Sequence, residues 1–252
     1  MKDDRSVERD GRRPLYTIAG YAAFTVALST AVWIVLAGLC FLTKVGQDPA
    51  ACGMNRVFPF ISGWGRFNLV GLVLLQVPVV IALTAMTVRR SRLLSVLGAA
   101  FGGLYVVTGL FAALFKTVVF SDLAGRFLST TGLEQGMTIR NLTIWAQGHP
   151  YAMTYGLDVP VNLVFALMAL SFAVALSPSS LTQSTVRWLL AGGAVIGLVV
   201  SATQLVGWTA LQGLLLIAAA ATIGAYLLLG PLFLAKAFSP AAEAEATAQV
   251  RT

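Results

Sequence analysis

Six long apolar blocks, separated by short polar or Gly/Pro-rich stretches, set the rhythm of this chain. They cover residues 15–42, 67–88, 93–115, 159–176, 188–206 and 209–238. A helix of about 20 apolar residues crosses the hydrocarbon core of a bilayer. Within that core the backbone must satisfy its own hydrogen bonds, so each block reads as a transmembrane α-helix. The pattern predicts an all-α integral membrane protein with six transmembrane helices. The first block is long enough to tilt or to extend into the interface. The last two meet at Gly207 with almost no connection, which predicts an antiparallel hairpin.

Residues 14–238 thus form one transmembrane domain between two polar tails, 1–13 and 239–252. Both tails lack apolar spacing and are expected to be disordered. The block at 15–42 is longer than a signal-peptide core of about 7 to 15 residues, so it reads as an uncleaved span. The stretch "LAGLC" at 36–40 has Leu39 before Cys40, where a lipoprotein cleavage box needs a small residue.

Composition agrees with this reading. Of 252 residues 58% are hydrophobic and 11% charged, whereas a soluble domain is about 25% charged. The mean hydropathy is +0.83. A formal net charge of +7 would suit nucleic acid, but the basic residues stand beside apolar blocks and no nucleic-acid motif accompanies them. Their distribution instead gives the orientation. With six spans, eleven of the 17 Lys and Arg fall on one side: in the N-terminal tail, at Arg89, Arg90 and Arg92, and at Arg187, Lys236 and Arg251. By the positive-inside rule both termini are cytoplasmic.

Two outer loops remain. Residues 43–66 are dense in Gly, Pro and aromatics. Residues 116–158 carry apolar positions at roughly helical spacing, which predicts short interfacial helices between the third and fourth spans. This longer loop holds the chain's single histidine, His149, in a Gly-His-Pro turn near Trp145, Tyr151 and Tyr155. As a catalytic group, His149 would act as acid or base at a cavity mouth together with Asp158 or Glu134. As an anchor, the same stretch is an aromatic belt at headgroup level, and that is the reading adopted. Asp158 stands just before the fourth block, where a helix dipole stabilises a negative charge. Asp122 and Glu134 are read as solvated.

No metal or cofactor is expected, because one histidine and two cysteines provide no ligand spacing. Cys40 and Cys52 share the outer side, and either a disulfide or two thiols would be structural there. No Asp, Glu, Lys, Arg or His lies in mid-span, which argues against ion-coupled transport. The polar groups left inside are Gln76, Asn162, Ser201, Thr203, Gln204 and Gln212, read as interhelical glue, with Gln76 serving carbonyls released by Pro78. Gln204 and Gln212 are expected to face each other across the last hairpin. Small residues at 98/102, 193/197 and 220/224 allow close packing within the chain, or between copies of it or with a protein partner.

The stretch "FALMALSFAVALSPSSLTQSTVRWLLAGGAVIGLVVSA", in which a span ends in a Ser/Pro loop before "RWLLAGG", resembles bacterial six-helix membrane protein families described only as domains of unknown function. The resemblance implies six spans and a bacterial cytoplasmic membrane. The expected role is a non-enzymatic accessory or binding component with the outer loops as its contact surface. Two other readings stand beside it: an enzyme acting on an isoprenoid or lipid at the outer leaflet, and a small-molecule exporter without ion coupling.

Overall fold

The computed structural model describes residues 4–42, 59–129, 153–206, 211 and 213–238, with side chains at 13–32, 34–35, 70–114, 159–206, 211 and 213–238. Six helices form the described part: α1 Asp4–Leu42, α2 Pro59–Thr87, α3 Arg92–Ser129, α4 Met153–Ala175, α5 Leu181–Leu205 and α6 Leu214–Phe238. No strand occurs among the described residues. Five helices contain a stretch long and apolar enough to cross a membrane, and in α4 the described apolar part, Val159–Ala175, is shorter.

Each helix packs on its neighbours in sequence, and α6 returns to pack on α1, so the bundle is a closed ring. Adjacent helices run antiparallel. Along α2 and α3, Val80 meets Gly102 and Val73 meets Gly109. Between α4 and α5, Ala166 faces Gly197, and between α5 and α6, Leu189 faces Gly224 while Ala221 faces Gly193. Tyr16 stacks on Phe233 at 6.2 Å where α1 meets α6. Helices α2 and α4, the two neighbours of α3, also touch each other inside the ring.

The packing follows membrane rules. Helix α1 presents Ala19, Ala23 and Ala27, all buried, at four-residue spacing, while Ile18, Tyr21, Leu28 and Val35 are exposed. Small residues inside let backbones approach, and large apolar residues outside suit a lipid solvent as water would not. Gly20 on α1 shows how close the approach is, since a Cβ there would lie 3.1 Å from the carbonyl oxygen of Gly230. Two of the small pairs expected as ridges, 98/102 and 193/197, divide between two neighbours, whereas in the third Ala220 is exposed. Gly98 faces Phe172 of α4 whereas Gly102 faces Val80 of α2.

Several helix ends differ from expectation. The tail 1–13 is not disordered throughout, because α1 is helical from Asp4. Extending an existing helix requires no new nucleus, so polar residues can continue it. Helix α2 begins at Pro59, within the first outer loop. Helix α3 runs unbroken to Ser129 and includes Asp122, and the remainder of the loop expected to hold interfacial helices, 130–152, lies outside the described residues. Helix α4 begins at Met153, so Asp158 lies in its second turn and not before its start, and the helix passes through Pro160. Helix α5 starts at Leu181, where the Ser180 hydroxyl accepts from the Gln183 N–H at 3.2 Å. That cap sets the start seven residues ahead of the apolar block. The last hairpin is wider than expected, with α5 ending at Leu205 and α6 starting at Leu214. Gln212 and most of this connection fall outside the described residues.

Candidate functional site

Inside the ring, the polar side chains of α2 and α6 find one another. The Tyr226 hydroxyl donates a hydrogen bond to Gln76 Oε1, and both residues are buried. Helix α1 packs between these two helices on the ring, so the bond reaches across the interior. Gln76 was expected to serve carbonyls near Pro78; its amide oxygen instead holds a residue 150 positions away. Tyr105 of α3 lies within electrostatic range of Tyr226, and its ring meets Phe165 of α4 at 5.1 Å. Phe172, Tyr226, Leu229 and Phe233 fill the remaining interior and are among the largest fully buried side chains.

An unpaired polar group in a water-poor interior costs about 1–3 kcal/mol, so the Gln76–Tyr226 pair acts as a lock between the two halves of the chain. Tyr226→Phe should lower stability by about 1–2 kcal/mol, since membrane hydrogen bonds are worth less than the full penalty. Adding Gln76→Leu should recover most of that loss, because neither group is then left unpaired. Unfolding of the parent protein and the two variants by SDS in mixed micelles measures both changes.

The halves of α4 and α5 away from the α2–α3 turn hold Asn162, Ser201 and Gln204. Helical register puts Asn162 on the same face of α4 as Ala166, which itself packs on α5. Gln204 is buried, and Ser201 is fully buried with no hydrogen-bond partner for its Oγ. Other helical hydroxyls, such as Thr84, Thr108, Ser171 and Thr222, bond back to a carbonyl one turn earlier. Thr203 does so too, to Val200.

A second feature lies on the outside of the ring. Helices α2 and α3 enclose an apolar groove of about 510 Å³, lined by Val77, Ile81, Thr84, Val88, Gly103 and Val106 among others. Gly103 leaves space, as a Cβ there would meet nothing within 4 Å. The groove ends at the α2–α3 turn, which is held by hydroxyls. Ser95 donates to Thr87 at 2.7 Å, Thr87 donates to the Leu83 carbonyl at 2.8 Å, and the Arg90 and Ser91 amides both reach the Thr87 carbonyl. Arg90 also bonds the Leu176 carbonyl at the end of α4, at 2.7 Å. Arg89 and Arg92 are exposed beside it.

The same end of the bundle carries Arg13, whose guanidinium sits 5.3 Å from the Phe238 ring centroid, and Arg187 and Lys236. The other sequence candidates are placed less fully. Tyr155 and Asp158 lie in α4, and Cys40 lies in α1, with the helix backbone alone described. His149, Glu134, Trp145, Tyr151 and Cys52 fall outside the described residues. Among the described residues, no three His, Cys, Asp or Glu side chains gather as a metal site would need. No family model, curated protein or solved structure matches this chain. The molecule is a helical bundle with several helices apolar enough for a membrane, and its role must be read from the bundle itself.

Tyr226 is the functional-looking residue that sequence reasoning passed over. Its signal was a lone tyrosine in the run "AAAATIGAYLLLG", where the other polar side chain, Thr222, bonds back to its own helix at Ala218.

Proposed function

We propose that this chain is a non-enzymatic accessory or binding component of a bacterial cytoplasmic membrane, crossing it six times with both termini in the cytoplasm. The packing among the described residues carries this reading: α2 and α4 touch inside the ring, Gln76 is tied to Tyr226, and Phe172 and Phe233 are fully buried. Such a bundle is a scaffold, and its contact surfaces lie at its periphery, in the outer loops and on lipid-facing sides. The orientation rests on the basic side chains of one end, Arg13, Arg89, Arg90, Arg92, Arg187 and Lys236. Helix α4 is counted as a span because it is a full member of the ring.

The test is complementation of a deletion strain by a His149→Ala, Glu134→Gln, Asp158→Asn triple variant. Full complementation, with expression and thermal stability unaltered, is expected. Failure to complement by a stably folded variant would replace this reading with that of an enzyme acting at the outer leaflet. The export reading draws on one observation, the unpartnered Ser201 hydroxyl beside Gln204 in the outer half of the ring.

A further inference from the structure

The groove between α2 and α3 has two properties that together specify an occupant. Its depth matches one leaflet, since Val77 to Val88 at about 1.5 Å per residue covers about 16 Å. Half of a hydrocarbon core of about 30 Å is about 15 Å. A transmembrane partner helix would need contact along the whole span, whereas a single acyl chain needs one leaflet. The volume of about 510 Å³ falls in the usual range for small-molecule sites, about 300–1,000 Å³.

The second property is charge. The groove opens at Val88, directly before the turn that carries Arg89, Arg90 and Arg92. Arg90 is engaged with the Leu176 carbonyl, and Arg89 and Arg92 are exposed at headgroup level. Thr87 and Ser95 fix the turn beneath them through their buried hydroxyl pair. Basic groups at the cytoplasmic mouth of an interhelical cleft are the arrangement that recognises anionic lipid headgroups.

We infer that the α2–α3 groove is a binding site for an anionic phospholipid of the cytoplasmic leaflet, with one acyl chain between Val77 and Val88 and the phosphate held by Arg89 and Arg92. The site deepens the proposed role by giving the scaffold a lipid contact. It rests on the membrane-spanning reading but not on the accessory role, and a measurement in micelles does not depend on insertion direction. Failure here would therefore leave the complementation and topology results standing, and the reverse also holds.

The experiment is native mass spectrometry of the full chain in mild detergent, titrated with phosphatidylglycerol or with phosphatidylcholine bearing the same acyl chains. Phosphatidylglycerol should bind about twenty-fivefold more tightly, from about fivefold for each of the two basic side chains. An Arg89→Gln, Arg92→Gln double variant should bring the two lipids to near parity. Gly103→Phe, which projects into open space and so leaves the fold intact, should weaken both lipids. Equal binding of the two lipids by the unsubstituted protein would overturn the site, as would a preference that survives the Arg89→Gln, Arg92→Gln exchange or lipid binding that Gly103→Phe leaves unchanged. A lipid-free dimer dispersed by Gly103→Phe would assign the groove to a second copy of the chain instead.

Discussion

Phe172→Ala is expected to cost about 3–5 kcal/mol, the usual range for emptying a fully packed aromatic site. Phe172 is 0% exposed, and its ring lies where a Cβ on Gly98 would stand, 2.9 Å from Cε1 and Cζ. Removing the ring opens a void between α3 and α4 that helices fixed in a closed ring cannot easily close. The loss should appear in SDS-driven unfolding as an earlier transition. The geometry also predicts a sign reversal. Gly98→Val in the parent protein forces a clash with the ring and should destabilise. In the Phe172→Ala background the same change enters the void and should recover part of the loss, as coupled neighbours do. Additive effects would show that the two positions are not in contact.

Gly20→Val is the second large effect, expected at about 3 kcal/mol, the upper part of the range for overpacking. A Cβ at Gly20 would lie 2.8 Å from Leu234 Cγ and 3.1 Å from the Gly230 carbonyl oxygen. The leucine tip can turn aside, but the carbonyl belongs to the α6 backbone and cannot. Helices α1 and α6 would have to separate, which breaks the contact that closes the ring. Gly230 meets the same limit from the other side, since a Cβ there would touch the Phe24 ring at 2.7 Å. Gly103→Val supplies the control, because nothing lies within 4 Å of a Cβ there and the change should stay within about 0.5 kcal/mol. Thermal unfolding in detergent compares the two directly. Equal stabilities would mean that α1 and α6 do not pack as described.

The helical class and the centres of all six helices could be read from apolar block length, because the block is the physical requirement of the solvent. The ends could not. Hydropathy reports where lipid stops, whereas a helix stops where its hydrogen bonds find another partner. Ser180 is such a point, and it lies well before the apolar block of α5. Helices α2, α3 and α4 likewise continue past their apolar blocks, at the ends away from the α2–α3 turn. The apolar block put the start of α4 at residue 159, yet the helix begins at Met153 and runs through Pro160.

Within the site, sequence reasoning named Gln76 but not its partner. A polar residue in a span announces itself, whereas its partner is set by ring closure, which brings α6 beside α1 and only then opposite α2. The groove was hidden for a related reason. Gly103 resembles the packing glycines around it in sequence, and only its neighbours show that Gly102 is filled by Val80 while Gly103 is open. The roles of His149, Glu134 and Asp158 were framed by sequence and are carried forward as a genetic test.

The most direct measurement of the account is topology, read by labelling single cysteines with a membrane-impermeant maleimide in spheroplasts. With Cys40 and Cys52 replaced by serine, cysteines would be placed at Arg89, Glu134, Ser179 and Val206, one in each connection from α2–α3 to α5–α6. The account predicts alternation: protected at 89, labelled at 134, protected at 179 and labelled at 206, with the protected sites reacting after permeabilisation. Labels at 134 and 179 on the same side would mean that α4 does not cross, and an inverted pattern would place the arginine-rich end outside. Either result would contradict six spans with cytoplasmic termini.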